Sequence, residues 1–271
     1  MKMDAKSIIS YLIKTGIEMI IDCHTHITGN GKWFETGLGS SPEILLAAMK
    51  NANIDQSLLL PIYGTITNSR IAEVVKQYPG KFIGFGSIDI ATWKSDIEEI
   101  THYQLKGIKF HPRMQDQTLF SLENSGALQE MNAKKLPLLI CGWQQTSSDH
   151  APMGLIGPVI VDAFAKKYKD MNFIIAHMGG HKFWDAFFCA RGNKNVYLDC
   201  SYFLKFFRGT SIEKDFWSVV KLIDEKLIYG SDFPEIDMKE YKEYFEKKAT
   251  LAGLDTEKIC YSNFQKAVPS Y

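Results

Sequence analysis

From Met19 onward the chain alternates short apolar runs rich in Ile, Val, Leu and Phe with longer stretches whose apolar residues recur at helical spacing. Eight apolar runs stand out, at Met19 to Cys23, Gln56 to Leu60, Phe82 to Ile88, Gly107 to Phe110, Leu138 to Cys141, Phe173 to Ala176, Val196 to Asp199 and Leu227 to Tyr229. Between and after them the spacing predicts helices over Ser41 to Asn53, Asn68 to Tyr78, Ser95 to Gln104, Ser125 to Lys135, Pro158 to Tyr168, Lys182 to Arg191, Ile212 to Ile223 and Met238 to Leu251. The first is the clearest, because Ser41 can cap it and Pro42 fits the first turn. Regular strand–helix alternation builds a parallel sheet covered by helices. Eight such units match the roughly 250 residues of a closed barrel, whereas an open doubly wound sheet typically uses about five or six strands. The expected fold is therefore α/β, a single (β/α)8 TIM-type barrel over 19–271. No linker, repeat or low-complexity tract divides it. Residues 1–18 carry Ile8, Ile9, Leu12 and Ile13 among lysines, the pattern of a short amphipathic helix. They read as an N-terminal helical extension packing over the barrel floor.

Composition narrows the function classes. The 271 residues are 45% hydrophobic, enough for one large buried domain. Thirty-one basic residues balance thirty-one acidic ones, so no global field favours nucleic acid or an anionic membrane. No run approaches the roughly 18 apolar residues of a membrane span, and a signal peptide's apolar core and cleavage site are missing. A cytoplasmic protein acting on a small molecule is expected, as a monomer or a homo-oligomer. Cys23, Cys141, Cys189, Cys200 and Cys260 are scattered and never form a CxxC pair, which indicates buried thiols rather than disulfides or a zinc knuckle.

The chemistry gathers at predicted strand ends. Asp22-Cys23-His24-Thr25-His26 closes the first strand, and a period of two points His24 and His26 to one side. Two convergent imidazoles suit zinc or a neighbouring divalent metal; two surface loop histidines are the bland alternative. His111, His150, His177 and His181 also follow strand ends and only His102 lies on a helix, so six of seven histidines are expected at the barrel mouth. His177 precedes Met178-Gly179-Gly180, where glycine allows close backbone approach. Asp232, in Tyr229-Gly230-Ser231-Asp232-Phe233-Pro234, faces the first strand across the barrel seam. It can bind the same metal, take a proton from water, or simply cap a turn. On the fourth strand Lys109, His111 and Arg113 share one parity and could hold a substrate carboxylate or phosphate. Lys109 could equally pair with an interior acid, Asp22 or Asp199.

Met-Ile-Ile-Asp-Cys-His-Thr-His at 19–26, Gly-Ile-Lys-Phe-His-Pro at 107–112, Ala-His-Met-Gly-Gly at 176–180, Asn-Val-Tyr-Leu-Asp at 195–199 and Tyr-Gly-Ser-Asp-Phe-Pro at 229–234 together resemble the amidohydrolase superfamily. More closely, they resemble its branch of aminocarboxymuconate-semialdehyde-type decarboxylases and uncharacterised metal-dependent hydrolases. The resemblance implies one divalent metal, zinc in most members, held by His24, His26 and Asp232, with His177 as a further ligand or catalytic residue. One departure sits in the site: the fifth strand, where the family usually carries a histidine ligand, ends Leu-Leu-Ile-Cys-Gly-Trp. Cys141 stands there, as a sulfur ligand or merely a space-filler, and lactonases of this branch work without metal. The expected activity is hydrolysis of a small, carboxylated amide, lactone or ester by metal-activated water. Asp232 and His177 would move protons, and Lys109, His111, Arg113 and Trp143 would bind substrate. Metal-dependent decarboxylation and a metal-free ligand-binding barrel are the alternatives.

Overall fold

The computed structural model describes residues 19–143 and 157–269. The 1–18 extension and His150 lie outside the described residues.

All eight apolar runs are strands, because each is buried on both faces and bounded by turn residues. They are β1 (Ile21–Thr25), β2 (Gln56–Leu59), β3 (Phe82–Gly84, continuing as Gly86–Ser87), β4 (Ile108–Phe110), β5 (Leu138–Ile140), β6 (Phe173–Ile175), β7 (Val196–Asp199) and β8 (Leu227–Ile228). Every neighbouring pair is parallel. β3 bends at Phe85, so its first half pairs with β2 and its second with β4. The last gap closes by backbone bonds: the N–H of Cys23 donates to the Tyr229 carbonyl at 3.0 Å, that of Asp232 to the His24 carbonyl at 2.9 Å, and that of His26 to the Phe233 carbonyl at 2.9 Å. The strands thus form a ring.

Alternate strand residues face two different cores. Ile21, Leu58, Ile83, Leu139, Ile174, Tyr197 and Ile228 fill the barrel interior, while Leu59, Ile108, Phe110, Leu138, Phe173 and Leu198 pack outward against the helices. The interior is closed below by the helix Asn263–Ala267, which buries Phe264 and Ala267 in that cluster. Asn263 Nδ2 donates to the carbonyls of Asp224 and Leu227 at 2.6 and 2.7 Å. A C-terminal element, not foreseen from the sequence, therefore lies under the floor.

Six helices sit within two residues of expectation at each end; the Ile212 to Ile223 stretch is α-helical only over Ser211–Val219, then turns 3-10. Ser41 caps Pro42–Ala52 by accepting the Ile44 N–H. The expected helix over Ser125 to Lys135 is instead two, Leu119–Ser125 and Ala127–Ala133. They break at Gly126, whose φ of 92° leaves the helical region and ends the first one.

Candidate active site

β1 carries one extra residue against β2: Asp22 opposes Ser57 and Thr25 opposes Leu59. A strict period of two would set His24 opposite to Ile21. The bulge restores it to the interior, where Asp199, of the same parity as Tyr197, meets it. His24 is fully buried, with Nδ1 at 2.5 Å from Asp199 Oδ2 and Nε2 at 3.3 Å from Lys109 Nζ and 3.4 Å from Asp232 Oδ1. His26 Nδ1 donates to the Leu60 carbonyl at 2.7 Å, and its Nε2 lies 3.2 Å from the same Asp232 oxygen.

His177 leaves β6 on a left-handed turn in which His177, Met178 and Gly179 have φ of 55°, 52° and 74°. Non-glycine residues pay for that conformation, and such strain gathers at functional sites. Gly142, at the end of β5, makes room for the turn; a Cβ there would lie 2.2 Å from the Ala176 carbonyl oxygen and 2.9 Å from Gly179 Cα. His177 Nδ1 lies 3.1 Å from the Ser201 carbonyl and 3.0 Å from Ser201 Oγ. Asp232 also takes a positive φ, 82°, which aspartate tolerates better than most side chains.

The ligand atoms of His24, His177 and Asp232 all lie within 4.8 Å of one another. His26 stands beside this set, joined through Asp232. Each imidazole sets Nδ1 against a protein oxygen, which leaves Nε2 as the nitrogen available to a metal. Two imidazole nitrogens and a carboxylate, with a third imidazole adjacent, fit zinc or a related divalent ion.

The electrostatics agree with that fit. Burial raises the Asp232 carboxyl, but His24, His177 and His26 outweigh it and hold the group well below the usual carboxylate range. Burial disfavours a charged His177, yet Asp232, the Cys141 thiol and Asp199 pull it up to about 9. The field there favours a cation. His24 is pushed the other way, by burial first and then by Lys109.

The amidohydrolase family profile matches residues 21–263. The chain belongs to the amidohydrolase family. Among solved structures it is similar to an uncharacterised TIM-barrel protein from Bordetella bronchiseptica (18% identity, TM-score 0.77, covering 93% of this chain and 99% of that one). A probable 2-pyrone-4,6-dicarboxylic acid hydrolase from Acinetobacter baumannii (15%, TM-score 0.66, 92% and 99%) and the 5-carboxyvanillate decarboxylase of Sphingomonas paucimobilis (13%, TM-score 0.66, 93% and 99%) share the fold. No curated protein matches the sequence.

In this amidohydrolase the cluster lies in a pocket of about 410 Å³, lined by eight of the residues singled out from the sequence, His24, His26, Lys109, His111, Arg113, Trp143, His177 and Asp232. Lys109 is fully buried and contacts His24 rather than forming an ion pair with Asp22 or Asp199. Burial depresses its pKa. His181 is a correction: the left-handed turn carries it to the surface, where it is exposed. Of the five described histidines expected at the mouth, four, His24, His26, His111 and His177, are thus brought to the pocket.

Cys141 lines the pocket too, and all five cysteines are free and buried. Burial raises its thiol, but the charge and hydrogen bonds of His111 and His177 outweigh this and bring it well below the ordinary thiol value. Trp33, Tyr202 and Glu235 were not foreseen. Trp33 stacks on His26 (centroids 5.2 Å, 23°) and donates its indole N–H to Glu235 at 3.0 Å. Tyr202 packs edge-on against Trp143 at 5.0 Å. They come from loops and a two-residue hairpin strand, where no hydrophobic period marks which side chain turns inward. Among the described residues no helix is long and apolar enough to cross a membrane.

Proposed function

We propose that this amidohydrolase is a metal-dependent hydrolase of a small carboxylated amide, lactone or ester. The observation that carries the reading is the convergence of His24, His177 and Asp232 within 4.8 Å, beside His26, in the pocket holding Lys109 and Arg113. His24, His26, His177 and Asp232 would hold one divalent ion, zinc by donor type. Such an ion supplies a Lewis acid that polarises a carbonyl and makes water acidic near about pH 7.

The protein's own groups supply the rest. Asp232, kept ionised, accepts the proton that an attacking water gives up and hands it on to the leaving group. Arg113, with His111 and Lys109 behind it, engages a substrate carboxylate. Trp143 and Trp33 form apolar walls that limit water and orient the substrate.

The same pocket supports decarboxylation as a second reading, because it sets cationic side chains beside the cluster, where an acid would be gripped as carbon dioxide leaves. The test is metal analysis of the purified protein, followed by a panel of carboxylated lactones, amides, esters and aromatic acids. Acid release from a lactone, amide or ester without carbon dioxide is the expected result. Carbon dioxide release would replace hydrolysis by decarboxylation, and metal-free protein that turns over none of the panel would leave a ligand-binding barrel.

A further inference from the structure

Asp199 is fully buried at the end of β7, on a strand that contributes none of the four side chains assigned to the ion. Both of its oxygens are engaged. Oδ2 lies 2.5 Å from His24 Nδ1, and Oδ1 accepts the N–H of Ser201 at 2.6 Å. Ser201 in turn presents its carbonyl and hydroxyl to His177 Nδ1 at 3.1 and 3.0 Å. One carboxylate therefore reaches a β1 histidine directly and the β6 histidine through one residue.

The proton on His24 can be located from its neighbours. Lys109 Nζ, only a donor when charged, sits 3.3 Å from Nε2, which requires a lone pair on that nitrogen. Asp199 is only an acceptor when ionised and faces Nδ1, which requires the proton there. The two contacts demand the same tautomer. That tautomer keeps the proton off Nε2, the nitrogen 3.4 Å from Asp232 Oδ1, and a carboxylate behind an imidazole makes its far nitrogen a better metal ligand.

We propose that Asp199 is a positioning residue for the cluster, fixing the tautomer and orientation of His24 and, through Ser201, the ring of His177. The proposal rests on the metal reading above for its effect on affinity, but not for its effect on the tautomer. An asparagine at 199 keeps an oxygen for the Ser201 N–H and turns its amide N–H toward His24 Nδ1, donor against donor. His24 then moves its proton to Nε2 and blocks its own lone pair.

The experiment combines zinc titration with nitrogen-15 NMR of the histidine side chains in apo protein, for the parent, Asp199→Asn and Ser201→Ala. In the parent His24 is expected as the Nδ1–H form. Asp199→Asn should shift it to Nε2–H and weaken zinc binding about 10- to 100-fold, while Ser201→Ala, which keeps the carbonyl under His177, loses less. A parent His24 in the Nε2–H form overturns the proposal even if the variant fails to fold. So does a folded Asp199→Asn with parental tautomer and affinity. A parent that binds no zinc sinks the metal reading, and the tautomer shift alone then decides for or against Asp199.

Discussion

His26 Nε2 and Asp232 Oδ1 lie 3.2 Å apart across the seam where the last strand of the barrel returns to the first. The seam itself is held by backbone bonds around both residues, so the side-chain contact is free to serve chemistry. His26→Ala should accordingly lose bound metal while keeping the fold. The stability cost should be about 1–3 kcal/mol, that of leaving the buried Leu60 carbonyl without its donor. His24→Ala differs, because it strands the buried Asp199 charge, and about 3–5 kcal/mol is expected. Metal content and thermal denaturation of the two variants check this; equal destabilisation would remove the distinction.

Asp232→Asn should lower turnover about 100-fold or more, with little change in substrate affinity. Asparagine tolerates the positive φ at this position and keeps the backbone bond to His24, but it neither accepts a proton nor balances a cation. Separate kcat and KM values decide it. Near-parental turnover would reduce Asp232 to a turn residue.

The barrel was legible because eight apolar runs are buried on both faces, a condition that leaves a plain mark in sequence. His24, His26, His177 and Asp232 were legible from their places at strand ends. What could not be read depends on contacts between strands or on turns. Asp199 reads as one more strand residue until His24 is seen against it, and the bulge that brings them together leaves no trace in composition. His181 failed for a related reason: proximity to a strand end does not say which way a left-handed turn exits. Trp33 and Glu235 meet only because a short hairpin strand and the segment after β8 come together beside His26.

Cys141→Ser should keep most of the bound metal. His24, His26, His177 and Asp232 already supply the protein ligands of a catalytic site, and the thiol is occupied with His111 and His177, from which a hydroxyl can also accept. Metal stoichiometry of the variant is the check. Loss of the metal would make Cys141 a ligand and put sulfur in the site.

Gly142→Ala should destabilise the protein by about 1–3 kcal/mol, the usual cost of overpacking. Its methyl group would run into backbone, the Ala176 carbonyl and Gly179, rather than a side chain able to swing aside. Because that backbone carries His177, activity should fall along with melting temperature. A variant with parental stability and turnover would show that the turn has slack.

The most direct test of the cluster is a zinc titration of chelator-treated parent protein beside His177→Ala, followed by calorimetry and elemental analysis after dialysis. One equivalent should remain bound per parent chain, and the affinity should drop sharply in the variant. A parent that retains no zinc, or a variant that binds it as tightly as the parent, would contradict the assignment of His24, His177 and Asp232 as a metal site.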